Sequence, residues 1–314
     1  MQKLHVVPRF DDSLTYVYAE HSRVDRSGGS IGLWDQSGIT ELPVAAVRVL
    51  MLGPGSSITH EAVRVLADNN CLIIWCGEET VRFYAQGIGA TRSSTRLIRQ
   101  AALVSDPESR IQVARRMYAF RFKEVVLADL GMDQIRGLEG QRVRETYRRL
   151  SEQFDVPWHG RSYDRIKWQG GDPVNRAISA ANSCLYGLCH AAIISAGYSP
   201  ALGFIHTGKQ LSFVYDIADL YKTECSLPTA FAIAAQDPPH LEREVRIAMR
   251  DSFRASRLIQ RVIPDIKALL AEDITEEELA IYDDDPALPA PLWSPSEAPE
   301  EGSTGGPALE GADG

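Results

Sequence analysis

The 314-residue chain lacks the long apolar segments that mark secreted and membrane proteins. Its first residues contain no apolar core of a signal peptide. Its apolar runs, such as the one from Leu72 to Cys76, are far shorter than the roughly 20 residues that span a bilayer. The sequence therefore predicts a soluble protein without a secretory address.

Cysteine is scarce, and its placement excludes most metal and disulfide frameworks. The five cysteines lie in apolar surroundings, their number is odd, and no C-x-x-C pair occurs. This usage is typical of buried, reduced thiols in a reducing cytoplasm rather than of a zinc or disulfide set.

Basic residues are absent from the end of the chain. The net charge is −9, but the segment from Glu272 onward holds 13 Asp and Glu residues and no Lys or Arg. Without that segment, basic residues outnumber acidic ones. The body of the protein is thus compatible with contacts to phosphate, although its charge does not require them.

The pattern of the chain predicts an α+β fold in two parts. Short runs rich in Val, Ile, Tyr and Trp, separated by turn residues, predict a β-sandwich or roll over residues 1–86. The predicted strands are Leu14–Ala19, Ser30–Trp34, Val47–Met51, Leu72–Trp75 and Val81–Tyr84. One helix interrupts them, and the hydroxyl of either Ser57 or Thr59 could cap its start. Residues 87–100 have the composition of a linker. Residues 101–282 have helical patterning and predict an all-α domain, in which Leu241–Ile266 is expected to form a single helix. The Pro-, Gly- and acid-rich segment 283–314 is predicted to be a disordered tail.

One apolar helical segment carries an unusual pair of acids. Asp216 and Asp219 are three residues apart, so they share a helix face whose neighbours are mostly apolar. His206 lies just upstream, at the start of a turn formed by Gly208 and Lys209. Two carboxylates on such a face need a compensating cation, which could be an arginine or a divalent metal. An imidazole with carboxylates suits Mg²⁺ or Mn²⁺, whereas the alternative is a salt-bridged helix end.

A further oxygen ligand is available in a second, arginine-rich segment. Glu139 lies between Gly137 and Gly140 and precedes several arginines. The flanking glycines would allow a ligand to approach closely. An amphipathic helix with ordinary internal ion pairs explains the same composition, and residue types alone slightly favour that interpretation.

The order of these motifs resembles a known family. The sequences GLEG at 137–140, SCLYG at 183–187, GFIHTGK at 203–209 and SFVYDIAD at 212–219 are similar to those of the CRISPR adaptation integrase, the universal spacer-acquisition nuclease, in its type I-E branch. The resemblance extends from Asp12 to about Leu269 and is lost only in the tail.

The resemblance implies a β-domain followed by a helical domain with one metal site. It implies Mg²⁺ or Mn²⁺ held by Glu139, His206 and Asp219, with Asp216 also required for activity. The reaction would be attack by the 3′-hydroxyl of captured DNA on the leader–repeat phosphodiester of a CRISPR array. The resemblance also implies a cytoplasmic prokaryotic protein that works as a homodimer, two of which are bridged by a dimer of a small ferredoxin-fold CRISPR adaptation protein.

Contacts to double-stranded DNA, both the protospacer and the leader–repeat, are likewise implied by resemblance. They are assigned to Arg64, Arg82, Tyr163, Trp168, Tyr186, Lys209, Tyr215, Arg243 and Arg246. On residue types alone, Arg243 and Arg246 would be an ordinary solvated helix edge, and the tyrosines at 186 and 215 would be core aromatics.

Two positions depart from the family pattern. His21 stands where a tyrosine caps the end of the captured duplex, and Ser57 replaces an arginine. We expect a weaker or pH-sensitive wedge at the first position and one fewer phosphate contact at the second.

Two other functions remain open: a stand-alone metal-dependent nuclease acting on branched DNA, and a DNA-end-binding scaffold without chemistry.

Overall fold

A computed structural model describes residues 16–28, 30–44, 47, 49–77, 83–87, 93–123, 130–161 and 172–274. Strands occupy the first part of this chain and helices the rest. The predicted α+β class is therefore confirmed. The strands are β1 (Tyr16–Ala19), β2 (Arg23–Ser27), β3 (Ser30–Asp35), β4 (Gly38–Leu42), β5 (Val49–Leu52), β6 (Ser57–Ile58), β7 (Leu72–Cys76) and β8 (Phe83–Gln86).

The strands form two four-stranded sheets. One has the order β1-β5-β7-β8 and the other the order β4-β3-β2-β6. In the first sheet β1, β5 and β7 run parallel, with Val49 opposite Leu72, and β8 is antiparallel at the edge. All four residues of β5 are buried, as expected for a parallel strand that is covered on both faces.

The side chains of β5 alternate between the two faces of the first sheet, and each face is covered by a different part of the protein. Leu50 and Leu52 pack with Val24 and Ile31 of the second sheet, which makes the sandwich core. Because successive side chains of a strand point to opposite faces, Val49 and Met51 emerge on the other side of the sheet. There they pack against Ala191 and Ile194 of the helical region, which covers the second face.

The helical region follows. Its elements, together with the helix inside the β-region, are α1 (His60–Asp68), α2 (Thr95–Ser105), α3 (Pro107–Phe122), α4 (Met132–Phe154), α5 (Pro173–Ser195), α6 (Ser212–Asp219), a π-helical turn (Lys222–Ser226), α7 (Leu227–Ala234), α8 (Leu241–Ala255) and α9 (Leu258–Leu270).

Side-chain caps fix the starts of several helices. Thr59 accepts the N–H of Ala62 at the start of α1, Asp106 that of Ser109 in α3, and Asp172 that of Asn175 in α5. Such caps satisfy backbone donors that the helix itself leaves unpaired. All three capping sites are recognisable in the sequence.

Two elements differ from expectation. Helix α2 begins at Thr95, inside the segment interpreted as a linker, of which residues 88–92 lie outside the described part. The single helix expected over Leu241–Ile266 is two helices. The break is at Arg257, whose φ of 50° is left-handed, so the chain turns where a helix cannot continue.

Helix α5 is the centre of the helical core. It is long and apolar enough to span a membrane by length and composition, but 78% of its most apolar 18-residue window is buried by the rest of the chain. It packs with α6, α7, α8 and α9. All five cysteines are buried and form no disulfide, as predicted.

Candidate metal and nucleic-acid site

Asp216 anchors the loop that precedes α6. Its carboxylate is buried and accepts the backbone N–H groups of Phe204 at 2.6 Å, Ile205 at 3.1 Å and His206 at 2.9 Å. Close packing holds the loop from the other side, since a Cβ on Gly203 would collide with the His206 carbonyl and with Ser212. The loop conformation is thereby fixed from its first residue.

The same carboxylate orients the His206 ring. Nδ1 of His206 lies 2.7 Å from Oδ1 of Asp216, and the ring remains 43% exposed. Because an ionised carboxylate can only accept, Nδ1 carries the proton and Nε2 is left with its lone pair. The hydrogen bond to Asp216 raises the pKa of His206, against the opposing effect of burial. Asp216 thus acts as a positioning residue for a potential nitrogen ligand.

Glu139 and Asp219 meet at one arginine. Nη1 of Arg121, at the end of α3, contacts Oε1 of Glu139 and lies 3.6 Å from Oδ2 of Asp219. The Arg121 side chain is only 9% exposed. The two acids, distant in sequence, therefore share a single cation inside the helical region. Nearby, burial and the Glu139 carboxylate raise the pKa of Tyr118 to about 12.

Lys222 provides a second cation. Its Nζ lies 2.5 Å from Oδ1 of Asp219 and 5.1 Å from the ring centroid of Tyr186. Although burial opposes the charged form, Asp219 and Tyr186 raise the pKa of Lys222 above its ordinary value. Lys222 is the first residue of the π-helical turn, a distortion that is common at functional sites.

Two tyrosines close the side of this cluster. Tyr186 and Tyr215 contact edge to face with centroids 5.1 Å apart, and Tyr215 lies 5.9 Å from the His206 ring. Both are partly buried rather than fully enclosed. They therefore border the candidate site, where the sequence resemblance places them.

The structure thus gathers the four predicted residues into two adjoining pairs. Asp216 holds His206, while Glu139 and Asp219 share Arg121. Within the described residues, no three His, Cys, Asp or Glu side chains are close enough together to hold a metal ion. The donor types nevertheless fit a hard divalent cation, and Arg121 already shows that both carboxylates reach one positive centre.

The predicted DNA contacts are spread over several elements. Arg64 is exposed on α1 and pairs with Glu61 and Asp68, and Arg243 is exposed on α8 beside Glu244. Lys209 is exposed in the loop after His206, and Arg246 is partly buried on α8. Arg82, Tyr163 and Trp168 lie outside the described residues. These roles stay predictions.

The two departures also have a place in the fold. His21 is exposed in the β1–β2 connection, with a left-handed φ of 48° and its N–H bonded to the Pro54 carbonyl at 2.9 Å. Ser57 is exposed at the start of β6. Both positions face outward, so both are accessible to a ligand.

Arg121 and Lys222 are site residues that the sequence analysis did not single out. Lys222 had a usable signal, since it follows Asp219 by three residues and so lies on its side of the helix. Arg121 had none, because its contacts with Glu139 and Asp219 join three different helices.

Comparison with known proteins identifies the family. The family model described as CRISPR associated protein Cas1 matches residues 15–126 and 123–236. A curated relative from Thermus thermophilus, named CRISPR-associated endonuclease Cas1 2, is 51% identical over 292 residues, covering 93% of this chain and 90% of the relative.

Two further comparisons agree. The CRISPR-associated endonuclease Cas1 of Escherichia coli is 44% identical over 283 residues, which cover 90% of this chain and 93% of the relative. A solved TtCas1–DNA complex is 52% identical and superposes with a TM-score of 0.73, covering 84% of this chain and 99% of that one. The chain belongs to the CRISPR-associated Cas1 family of endonucleases.

Proposed function

We propose that this protein is a divalent-metal-dependent DNA integrase that inserts captured protospacer DNA into a CRISPR array. The 3′-hydroxyl of the captured fragment attacks the phosphodiester at the leader–repeat junction, and the leaving oxygen becomes the new 3′ end. The observation that carries the proposal is the convergence of Glu139 and Asp219 on one cation, beside the His206–Asp216 pair.

The chain's residues supply position and charge to this reaction. Glu139, Asp219 and Nε2 of His206 would hold a Mg²⁺ or Mn²⁺ ion, which when bound polarises the scissile phosphate and stabilises the leaving oxygen. Asp216 fixes the tautomer of the neutral His206 ring, because Nδ1 donates its proton to the carboxylate in a hydrogen bond and Nε2 keeps its lone pair. Lys222 offsets the charge of Asp219.

DNA recognition is proposed to rest on phosphate contacts. Exposed cations on separate elements, such as Arg64, Lys209 and Arg243, suit a duplex that crosses the surface. Tyr215 borders the His206 ring and contacts Tyr186, and a DNA strand entering the site could stack on these two rings. The TtCas1–DNA complex supports DNA as the ligand.

We further propose that the protein works as a homodimer, with two dimers bridged by a dimer of a small ferredoxin-fold partner, in the prokaryotic cytoplasm. Geometry favours such an assembly, because the two ends of one captured duplex need two catalytic sites held at a fixed separation.

A strand-transfer assay tests the proposal. The protein, with and without the partner, is incubated with Mn²⁺, a labelled duplex with 3′ overhangs and a supercoiled plasmid carrying a leader and repeat. We expect label in the plasmid only when metal and partner are both present. Glu139→Gln should abolish the product, whereas Glu145→Gln, an exposed change on the same helix, should leave it intact.

Two outcomes would contradict the proposal. Cutting of branched DNA without the partner, and without transfer of label, would identify a stand-alone nuclease. Retention of the duplex with neither transfer nor cutting would identify a DNA-end-binding scaffold.

A further inference from the structure

We propose that Arg121 is a resident counter-cation that occupies the place of the catalytic metal in the metal-free protein and must leave before the metal binds. This inference rests on the proposed metal-dependent function and adds a residue that controls metal affinity. It assigns Arg121 an inhibitory role toward metal binding, rather than a role in building the site.

The first support is geometric. Nη1 of Arg121 contacts Glu139 and Asp219 together, and these are the two carboxylates proposed as metal ligands. Nη1 of Arg121 therefore occupies the position between the two carboxylates that a metal ion bound by both would take. Consequently, an ion cannot bind both carboxylates while the guanidinium remains between them.

The second support is the charge of the cluster. Glu139, Asp216 and Asp219 face Arg121, Lys222 and the His206 ring, so each acid already has a basic partner. A divalent ion added to this cluster would leave an excess of positive charge in a partly buried site, which is unfavourable. Removing Arg121 leaves Glu139 and Asp219 to match the two charges of such an ion.

The third support is that Arg121 is incompletely held. Its Nε is buried and, within the described part of the chain, has no hydrogen-bond partner. A guanidinium offers five donors, so a buried Nε without a partner leaves the hydrogen bonding of Arg121 incomplete. Withdrawal of this side chain from the two carboxylates therefore costs no hydrogen bond at Nε.

Isothermal titration of Mn²⁺ into the purified full-length protein tests the inference. Arg121→Gln should lower the Mn²⁺ dissociation constant by about ten-fold or more, because one competing positive charge beside the site is gone. Arg116→Gln is the matched control. It removes the same charge from the same helix, but Arg116 donates to the Leu269 carbonyl and touches neither acid. The Mn²⁺ dissociation constant of Arg116→Gln should stay within about two-fold of the wild-type value.

The possible results separate the inference from the proposed function. Mn²⁺ binding to the wild type with unchanged or weaker binding to Arg121→Gln overturns the inference alone. An absence of Mn²⁺ binding to both proteins overturns the inference and the metal-dependent function together.

A second measurement needs no variant, in case Arg121→Gln does not fold. A crystal of the wild type grown with Mn²⁺ should show anomalous density between Glu139 and Asp219, with Arg121 withdrawn from both. Density at the two carboxylates with Arg121 still bridging them would overturn the inference, as would Mn²⁺ elsewhere with that bridge intact.

Discussion

At the residue scale, the site depends on acids that perform different tasks. Asp216 is fully enclosed and binds its own loop, whereas Asp219 and Glu139 keep some exposure and face cations. The spacing of Asp216 and Asp219 is that of a shared helix face, yet only Asp219 is available to an ion. We therefore expect the two aspartates to respond differently to substitution.

Asp216→Ala should lower the free energy of unfolding by about 3 kcal/mol, because it leaves buried backbone donors of the 204–206 segment unsatisfied. Urea denaturation measures this change. Asp133→Ala, at an exposed position of α4, should change stability by less than about 0.5 kcal/mol. Equal effects of the two substitutions would contradict the anchoring role of Asp216.

The sequence could predict the ligand types but not their partners. His206, Asp216 and Asp219 lie within one segment, and local spacing brings them together. Glu139 comes from α4 and Arg121 from α3, so their meeting depends on how these helices pack. A pattern within one stretch of sequence contains no information on such a contact.

At the element scale, α4 carries Glu139, a proposed metal ligand, on a helix weakened by glycine. Gly137 is exposed within α4, and a Cβ there would meet nothing within 4 Å. Gly203, by contrast, has no room for a Cβ. Replacement of glycine by alanine should therefore change the free energy of unfolding in opposite directions at these two positions.

Gly137→Ala should raise the free energy of unfolding by about 0.5–1 kcal/mol, since alanine restricts the unfolded chain and favours the helix. Gly203→Ala should lower it by about 1–3 kcal/mol, because the added methyl group collides with the loop that carries His206. Thermal denaturation of both variants checks the signs. Destabilisation by Gly137→Ala would show that α4 needs the glycine for packing.

Element boundaries were predictable where local chemistry sets them. The caps Asp106 and Asp172, each followed by proline, start α3 and α5 as the sequence indicates. The break at Arg257 was not predictable, because neither glycine nor proline marks it and tertiary packing imposes its left-handed φ. Strands β2, β4 and β6 were missed because they are short and largely exposed.

At the scale of the whole molecule, α5 ties the two regions together. One end of its buried surface meets the first sheet through Ala191 and Ile194, and the remainder forms the helical core. His190 lies between these contacts and is buried. Burial lowers the pKa of His190 to about 4, so protonation of this ring opposes folding.

This burial predicts an acid-sensitive stability. Below the ordinary histidine pKa of about 6.5, His190 binds a proton in the unfolded chain but not in the folded chain. The free energy of unfolding therefore decreases as the pH is lowered toward 4. The His190 contribution should be a loss of about 2 kcal/mol between pH 7 and pH 5.

Urea denaturation at the two pH values measures this loss for the wild type and for His190→Gln. The variant should lose less stability than the wild type on acidification. His159→Gln, at an exposed position, should follow the wild type. An equal pH dependence in His190→Gln and the wild type would contradict the account.

The proposed function requires acids from α4 and α6 to form one divalent-metal site. Electron paramagnetic resonance of free Mn²⁺, recorded during titration of the wild type, Glu139→Gln and Glu145→Gln, tests this requirement. We expect Glu139→Gln to weaken Mn²⁺ binding by about ten-fold or more and Glu145→Gln to bind like the wild type. Mn²⁺ binding by Glu139→Gln with wild-type affinity would contradict it.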